Sequence, residues 1–255
     1  MPKSYLELHQ KHFDLKAFVV SALNEDRGDG DHTSLATVPS NQNGKMQLLV
    51  KEAGVLAGVE AAQAIIALID SRIKMKALLK DGSKVKPKQV AFVLEGNTQN
   101  LLLAERLVLN VMQRMSGIAT KTAHLQNLCK GSKTKVIDTR KTTPGFRFFE
   151  KWAVLIGGGS NHRYGLFDMI LIKDNHVDAA GGIEQALRSA KAYLEANNLQ
   201  LPIEIETRNL DEVQTALTVG IADRIMLDNF SPALMQEAVA LIGDSATTEA
   251  SGGIT

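Results

Sequence analysis

The segment DTRKTTPGFR, residues 138–147, gathers a carboxylate, three cations and two threonine hydroxyls around one Pro-Gly turn. Its cations are Arg140, Lys141 and Arg147. Arginine recognises planar carboxylates through paired hydrogen bonds, whereas lysine is a point charge suited to phosphate. The mixture therefore predicts a ligand that carries both groups. A solvated surface charge is the alternative for each cation, and it is favoured for Arg147 and for nearby Lys151.

Charged side chains also follow the later apolar runs of the sequence. A charged residue after every run, rather than after one or two, favours a binding site over ordinary solvated loops. If the runs are parallel strands, their carboxyl ends meet, and one pocket would hold cations on one side and carboxylates on another. The residues are Lys173, Asp174 and His176; Glu206 and Arg208; Asp228 and Asn229; and Glu249 with Ser251, Gly252 and Gly253.

The glycine-rich stretch GGGSNHRYG, residues 157–165, adds His162 and Arg163 to the cationic group. It does not fit the dinucleotide pattern G-x-G-x-x-G, because position 162 is histidine and no apolar strand leads into it. It does not fit the P-loop pattern either. We interpret the glycines as places where the backbone comes close to a ligand or to a neighbouring chain.

Glu206 and Asp228 end successive strand units and could act together. Opposite a cationic wall, two carboxylates could bind a divalent metal or stabilise a developing positive charge. A helix cap or a surface salt bridge is the alternative for each. Glu204 shares a strand face with Glu206, which is preferred because it lies nearer the carboxyl end. The turn at 251–253, SGG, offers backbone N–H groups of the kind that bind phosphate.

Positioning these side chains requires alternating strands and helices. After Lys135, five segments read as short strands: KVIDT, DMILIKD, PIEIET, DRIMLDN and TTEASGG. Helical patterns separate them, around 148–156, around 182–195, and in LDEVQTALTVG and PALMQEAVALIG. Repeated β-then-α units with short connections predict a parallel sheet, either open or closed into a barrel.

The first half of the chain has a different pattern. Helical spacing runs to about Leu23, and the composition of residues 24–34, NEDRGDGDHTS, predicts a loop. Strands are expected in GKMQLLVKEAGVLAGV and KVKPKQVAFVLEGN, and a short helix in EAAQAIIALID. A long helix is predicted from Thr98 to about Cys129, continuous or broken near residues 116–117. The predicted division is a helical segment (1–24), an α/β sandwich domain with the long helix (25–130) and an α/β barrel domain (131–255).

The composition is that of an ordinary globular protein, with 44% hydrophobic and 22% charged residues among 255. Lys plus Arg total 29 against 28 for Asp plus Glu, which argues against a non-specific nucleic-acid binder. The single cysteine, Cys129, excludes an intrachain disulfide and fits a reducing compartment. No segment approaches the roughly 20 apolar residues of a membrane span. We therefore expect a cytoplasmic protein that binds neither nucleic acid nor membrane.

Several long, ordered stretches resemble those of the quinolinate phosphoribosyltransferases, and the resemblance covers nearly the whole chain. Such a series is far more specific than any short motif. The stretches are EDRGDGDHTSLATVP, AERLVLNVMQRMSGIAT, DTRKTTPGFR, KWAVLIGGGSNHRYGLFDMILIKDNH, IEIET, IMLDNF and TEASGGIT.

This resemblance implies an α/β fold, with an N-terminal α/β sandwich-like domain and an incomplete, seven-stranded type of α/β barrel. The implied protein is a dimer or a dimer-based oligomer. The implied reaction joins quinolinate to phosphoribosyl pyrophosphate and requires Mg²⁺. It yields nicotinate mononucleotide, pyrophosphate and carbon dioxide, as the de novo entry to NAD.

The resemblance also implies roles for individual residues. Lys141 contacts phosphoribosyl pyrophosphate or the reacting region, and Arg106 reaches in from the neighbouring subunit. Glu206 and Asp228 hold ribose hydroxyls, bind magnesium directly or indirectly, and offset positive charge at the anomeric carbon. A turn of small residues takes the 5′-phosphate: Ser251, Gly252 and Gly253. Four cationic side chains surround the quinolinate carboxylates: Arg140, His162, Arg163 and Lys173.

Three alternatives stay open at this point. The chain could be a homologue of the ModD type with an altered substrate, or an anion-binding protein without turnover. It could also be a Schiff-base lyase with Lys141 or Lys173 as the nucleophile. The sequence ends after SGGI, whereas the family continues through another helix and a final strand. We therefore expect a barrel truncated at its C-terminus, with an incomplete phosphate site, poor stability and weak activity.

Overall fold

The computed structural model describes residues 5–6 and 11–254. The chain forms two compact units, Met1–His162 and Arg163–Thr255. Part of the predicted N-terminal helix, including His9, lies outside the described residues. The predicted division into three segments stays a prediction.

The first unit combines helices with two small antiparallel sheets. A three-stranded sheet has the order β1-β5-β3, and β2 pairs with β4. In β1 and β5, alternate side chains such as Met46, Leu48, Phe92 and Leu94 pack in the core, as period-two strands require. The elements are α1 (Leu15–Arg27), α2 (His32–Thr37), β1 (Asn43–Leu49), β2 (Gly54–Val55), α3 (Val59–Ile69), β3 (Lys74–Ala77), β4 (Lys84–Val85), β5 (Val90–Asn97), α4 (Thr98–Leu128) and α5 (Arg147–Ile156).

The predicted loop at 24–34 is mostly helical, so that prediction was wrong. Helix α1 continues to Arg27, and α2 begins at His32. The Asp31 carboxylate caps α2 by accepting a hydrogen bond from the Ser34 N–H at 3.0 Å. Aspartate is a strong N-cap residue, and a composition rich in Gly and Asp marks helix ends as well as loops.

Helix α4 is continuous through residues 116–117. The Ser116 hydroxyl makes two hydrogen bonds to the backbone of Ala57: it donates to the carbonyl at 3.1 Å and accepts from the N–H at 3.0 Å. This pair of contacts ties α4 to the segment that follows β2. The option of a break near these residues was wrong, because tertiary contacts override the weak helix propensity of a Ser-Gly pair.

The second unit is a parallel sheet with the order β6-β7-β8-β9. Helices separate its strands, so the predicted β-then-α repeat is confirmed here and the α/β class with it. An apolar core that includes Ile205, Ile225, Leu227 and Leu187 supports the sheet. The elements are β6 (Ile170–Ile172), α6 (Asp174–Ala180), α7 (Ile183–Ala196), β7 (Ile203–Thr207), α8 (Leu210–Val219), β8 (Arg224–Asp228), α9 (Pro232–Ile242) and β9 (Thr247–Ser251).

The first predicted strand of the repeat, KVIDT, is much shorter than expected. Within the first unit, Ile137 makes a single parallel bridge to Ser160. Flanking hydrogen bonds run from the Ser160 N–H to the Val136 carbonyl and from the Asp138 N–H to the Ser160 carbonyl. The segment therefore forms an isolated β-bridge rather than the predicted strand.

None of the described helices is long and apolar enough to cross a membrane.

Candidate active site

The start of the cationic loop at 138–147 is fixed by a buried ion pair in the first unit. The Asp138 carboxylate pairs with the Lys151 ammonium and accepts the His162 N–H at 2.9 Å. The Asn161 amide donates to both Asp138 and the Lys151 carbonyl. Lys151 is only 1% exposed. The interpretation of Lys151 as a surface charge was therefore wrong, because this amine is a buried partner of Asp138.

The far side of the loop is fixed by Glu150. Its carboxylate accepts the Thr143 N–H at 3.2 Å and the Arg114 Nε–H at 2.8 Å. Arg114 also donates to the Thr143 hydroxyl at 3.2 Å. Gly145 has a φ of +75°, which the Pro-Gly turn requires and glycine readily adopts. Arg147 donates from Nε to the Thr142 hydroxyl at 3.1 Å, so it braces the loop and is not merely a solvated charge.

Between these two anchors the loop presents Arg140 and Lys141. The Arg140 Nε atom is buried, and among the described residues it has no hydrogen-bond partner. Lys141 is exposed, and its backbone N–H is bound by the Thr139 hydroxyl at 3.0 Å. Arg140 and Lys141 thus lie on one loop held at both ends, and the His162 backbone is bound to Asp138 at the start of that loop. Arg106 lies apart in sequence, exposed on α4.

The glycine run packs against the protein itself. A Cβ on Gly157 would lie 2.5 Å from the Ala119 carbonyl oxygen of α4, and one on Gly159 would lie 2.8 Å from the Thr122 methyl. Real Cβ contacts essentially never come so close. The predicted close approach of backbone at these glycines is therefore present, but the neighbour is the chain's own long helix. This correction removes the glycines as an argument for a ligand.

In the second unit, the carboxyl ends of β6, β7 and β8 carry a group of charged residues. Glu206 ends β7, is buried, and lies 4.0 Å from the Lys173 ammonium. Burial raises the pKa of Glu206, and the nearby Asp228 and Asp174 carboxylates raise it further. Lys173 and a backbone hydrogen bond from Asp174 act in the opposite direction. Burial and the neighbouring carboxylates thus disfavour the charged form of Glu206.

Sequence reasoning missed the role of His176. Its Nδ1 atom accepts the Lys173 N–H at 3.0 Å, and its own N–H donates to the Lys173 carbonyl at 2.8 Å. His176 thereby fixes the backbone from which the Lys173 side chain extends. The signal was its position three residues after a strand-end lysine, where a helix N-terminus needs a polar partner.

The ends of β8 and β9 meet at Asn229, a second residue whose role was missed. Its N–H donates to the Ser251 carbonyl at 2.9 Å, and its amide donates to the Asp228 carboxylate at 2.6 Å. Asn229 has a φ of +57°, which asparagine tolerates better than most residues. Gly252 and Gly253 also have positive φ, at +77° and +61°. The predicted carboxylate Asp228 and the predicted phosphate turn therefore share one polar corner.

Four further charged residues that the sequence analysis named have partners inside the second unit: Glu204, Glu249, Arg208 and Arg163. Glu204 is fully buried and lies 3.7 Å from Arg224, which also pairs with Glu249 at 3.1 Å. Arg208 pairs with Glu212 at 2.7 Å. Arg163 donates to the Met169 carbonyl at 3.2 Å. The choice of Glu206 over Glu204 as the site carboxylate stays a prediction. Glu204 forms an ion pair with Arg224, whereas the charged groups near Glu206 are Lys173, Asp174 and Asp228.

Comparison with known families gives two matches that together span most of the chain. Residues 31–116 match the N-terminal domain of quinolinate phosphoribosyl transferase, and residues 118–255 match its C-terminal domain.

Known relatives are similar over almost the whole chain. The decarboxylating mitochondrial quinolinate phosphoribosyltransferase 2b of Nicotiana tabacum is 45% identical over 258 residues, which cover 95% of this chain and 73% of that protein. A probable carboxylating nicotinate-nucleotide pyrophosphorylase of Bacillus subtilis (strain 168) is 38% identical over 244 residues, covering 96% of this chain and 83% of that protein.

Solved structures have the same fold. NadC from Streptococcus pyogenes has a TM-score of 0.88 at 35% identity, over 100% of this chain and 86% of that one. The nicotinate-nucleotide pyrophosphorylase from Francisella tularensis has a TM-score of 0.86 at 40% identity, over 94% of this chain and 83% of that one. These similarities confirm the resemblance read from the sequence. This chain belongs to the quinolinate phosphoribosyltransferase family.

Proposed function

We propose that this protein transfers the phosphoribosyl group of phosphoribosyl pyrophosphate to quinolinate, with loss of one carboxylate as carbon dioxide. The other products are nicotinate mononucleotide and pyrophosphate, so the reaction supplies de novo NAD synthesis. The relatives' names support the reaction class. In the structure, the proposal is carried by the Arg140 Nε atom, which is buried and has no hydrogen-bond partner within residues 5–6 and 11–254. A buried guanidinium N–H without an acceptor costs free energy, and a substrate carboxylate would offset that cost.

Quinolinate carries two carboxylates, which several cations can recognise. We assign four cationic side chains to them, as the family resemblance implies: Arg140, His162, Arg163 and Lys173. Lys141 is assigned to the phosphoribosyl side, because an exposed ammonium is a suitable partner for phosphate. A homodimer in which Arg106 enters the neighbouring subunit's site belongs to the same proposal. It is supported by the exposed position of Arg106 on α4.

The leaving of pyrophosphate creates positive charge at the anomeric carbon. Glu206 and Asp228 would stabilise that charge and hold the ribose hydroxyls, since both lie at the carboxyl ends of neighbouring strands. The turn of Ser251, Gly252 and Gly253 would bind the 5′-phosphate through backbone N–H groups. Once the ring nitrogen is alkylated, the pyridinium accepts the electron pair released when the adjacent carboxylate leaves. The protein's main task is then to position charges.

Magnesium fits the residues present in the second unit. Glu206, Asp228 and Asp174 offer carboxylate oxygens, the ligands that hard divalent cations prefer. Burial raises the pKa of Glu206, and repulsion from Asp228 and Asp174 raises it further; a bound cation would offset both effects. We propose that Glu206 and Asp228 hold it, directly or through water. When bound, magnesium would neutralise the charge on the departing pyrophosphate.

We place the reaction in the cytoplasm, a proposal supported by the single cysteine.

A coupled assay tests the proposed function. Pyrophosphate and nicotinate mononucleotide are measured with phosphoribosyl pyrophosphate and Mg²⁺, using either quinolinate or nicotinate as the acceptor. We expect product from quinolinate, and loss of that product in an R140Q variant. An R72Q variant is the matched control, because Arg72 is an exposed arginine paired only locally with Asp70. Product from nicotinate but none from quinolinate would refute the dicarboxylate assignment.

A further inference from the structure

Two consecutive residues of α5, Glu150 and Lys151, are both charged and both buried. Glu150 is 6% exposed and Lys151 is 1% exposed. Buried charges are expensive unless they are paired and hydrogen-bonded. An apolar residue at either position would avoid that cost, and the neighbours Phe149 and Trp152 are apolar and buried. The charges therefore need an explanation other than core packing.

Lys151 and its partner Asp138 bind the backbone N–H and the backbone carbonyl of His162. The Asp138 carboxylate accepts the His162 N–H at 2.9 Å, and the Lys151 ammonium donates to the His162 carbonyl at 3.1 Å. Each member of the ion pair thus makes one hydrogen bond to His162. This arrangement fixes the backbone at His162 relative to Asp138, where the cationic loop begins.

Glu150 holds the same loop five residues further along. Its carboxylate accepts the Thr143 N–H, and Arg114 of α4 braces that contact by binding both Glu150 and Thr143. Arg140 and Lys141 lie between Asp138 and Thr143. Both ends of this short segment are therefore attached to one turn of a buried helix, which restricts the conformations that the two cations can adopt.

We propose that Glu150 and Lys151 are positioning residues, which set Arg140, Lys141 and His162 in the geometry that binds the dicarboxylate substrate. This inference rests on the proposed function for its substrate, but not for the anchoring itself. A displacement of about 1 Å in a substrate-holding group can cost about 10²-fold in rate. We therefore expect loss of either anchor to lower kcat/KM for quinolinate by more than its effect on the melting temperature would explain.

Two variants test the two anchors separately. The double variant D138N/K151M replaces the ion pair with neutral groups, which avoids leaving an unpaired buried charge. E150Q keeps the side-chain shape but removes one of the two carboxylate acceptors that serve Thr143 and Arg114. The matched control is D70N, because Asp70 is another buried carboxylate with an arginine partner. Its side-chain contacts, Arg72 and Asn100, lie outside the segment 138–162.

Four quantities are measured on each variant of the 255-residue chain: the melting temperature, the kcat for quinolinate, the KM for quinolinate, and the hydrogen exchange of peptides covering 138–147. We expect E150Q and the double variant to lower kcat/KM by about 10- to 100-fold, mainly through KM. Exchange in 138–147 should rise at least about fivefold. D70N should lower the melting temperature by a similar amount, but it should change neither kcat/KM nor the hydrogen exchange of 138–147.

The inference is overturned if exchange in 138–147 is unchanged in both anchor variants, or if their kinetic constants match those of D70N. If the double variant does not fold, E150Q alone decides by the same criteria. A wild-type protein that releases no pyrophosphate with quinolinate would refute the proposed function instead. In that case, hydrogen exchange still decides whether Glu150 and Lys151 anchor the loop.

Discussion

Replacing Gly252 with alanine should destabilise the corner where β8 and β9 end. The added Cβ would lie 2.2 Å from Asn229 Oδ1 and 2.9 Å from the Asn229 backbone nitrogen, so it meets main chain as well as side chain. Gly252 also has a φ of +77°, where a Cβ costs roughly 1–2 kcal/mol. To make room, the Asn229 amide must move.

The size of the effect follows from the contacts that Asn229 makes. Its amide donates to Asp228 at 2.6 Å, and because this hydrogen bond to a charged group is exposed to solvent it is worth about 1.5 kcal/mol, the low end of the usual range. Together with the backbone strain, G252A should lower the free energy of unfolding by about 3 kcal/mol. For a chain of this length, that corresponds to a fall in melting temperature of roughly 6–12 °C.

A matched control separates the clash from the backbone strain. Gly220 ends α8 with a φ of +65°, and a Cβ there would meet only the Leu217 carbonyl, at an ordinary 3.7 Å. G220A should therefore cost only about 1–2 kcal/mol. Denaturant unfolding of both variants measures the difference. Equal losses would refute the argument, because they would mean that the Asn229 contact contributes nothing.

Three further predictions concern charge, packing and helix propensity. E206Q should raise the melting temperature at neutral pH while reducing turnover. Glu206 loses its proton near pH 4.3 in the unfolded chain and at a higher pH in the folded chain, because burial and Asp228 raise its pKa. The stability of the wild type should therefore fall relative to that of E206Q as pH rises between these two pKa values, and melting temperatures that change in parallel with pH would contradict this. G157A should lose about 1–3 kcal/mol in denaturant unfolding, because its Cβ would lie 2.5 Å from the Ala119 carbonyl; an unchanged midpoint would show that α4 can yield. G117A, in the same helix with nothing within 4 Å, should gain about 1 kcal/mol by the same measurement, and a loss would mean that Gly117 is needed for another reason.

Periodicity predicted the second unit well because its signals are local. Strands β6, β7 and β8 each contain a short apolar run, and the helix that follows each strand has an apolar face, so neither signal needs distant information. KVIDT carried the same signal, yet only Ile137 pairs, with Ser160. An apolar run shows that a segment can be a strand, whereas pairing depends on a partner that local sequence does not specify.

The candidate site shows the same limit in its charges. Arg140, Lys173, Glu206 and Asp228 were predicted as site residues because polar residues after apolar runs are conspicuous in sequence. Lys151 was misread, since the same residue type is usually solvated and its partner Asp138 lies 13 residues away. Burial of a lysine depends on what packs around it, and no residue count along the chain supplies that.

The residues that the sequence marks as chemical and those that hold them in place are therefore of different kinds. Arg140 and Lys141 lie on a loop whose own residues could adopt many conformations. Two residues of α5 hold the loop: Glu150 accepts the Thr143 N–H, and Lys151 pairs with Asp138. A charged residue buried in a core helix costs stability, and the positioning role that we propose for Glu150 and Lys151 gives a reason for that cost. On this reasoning, the buried charges next to a binding loop are as informative about function as the exposed charges on it.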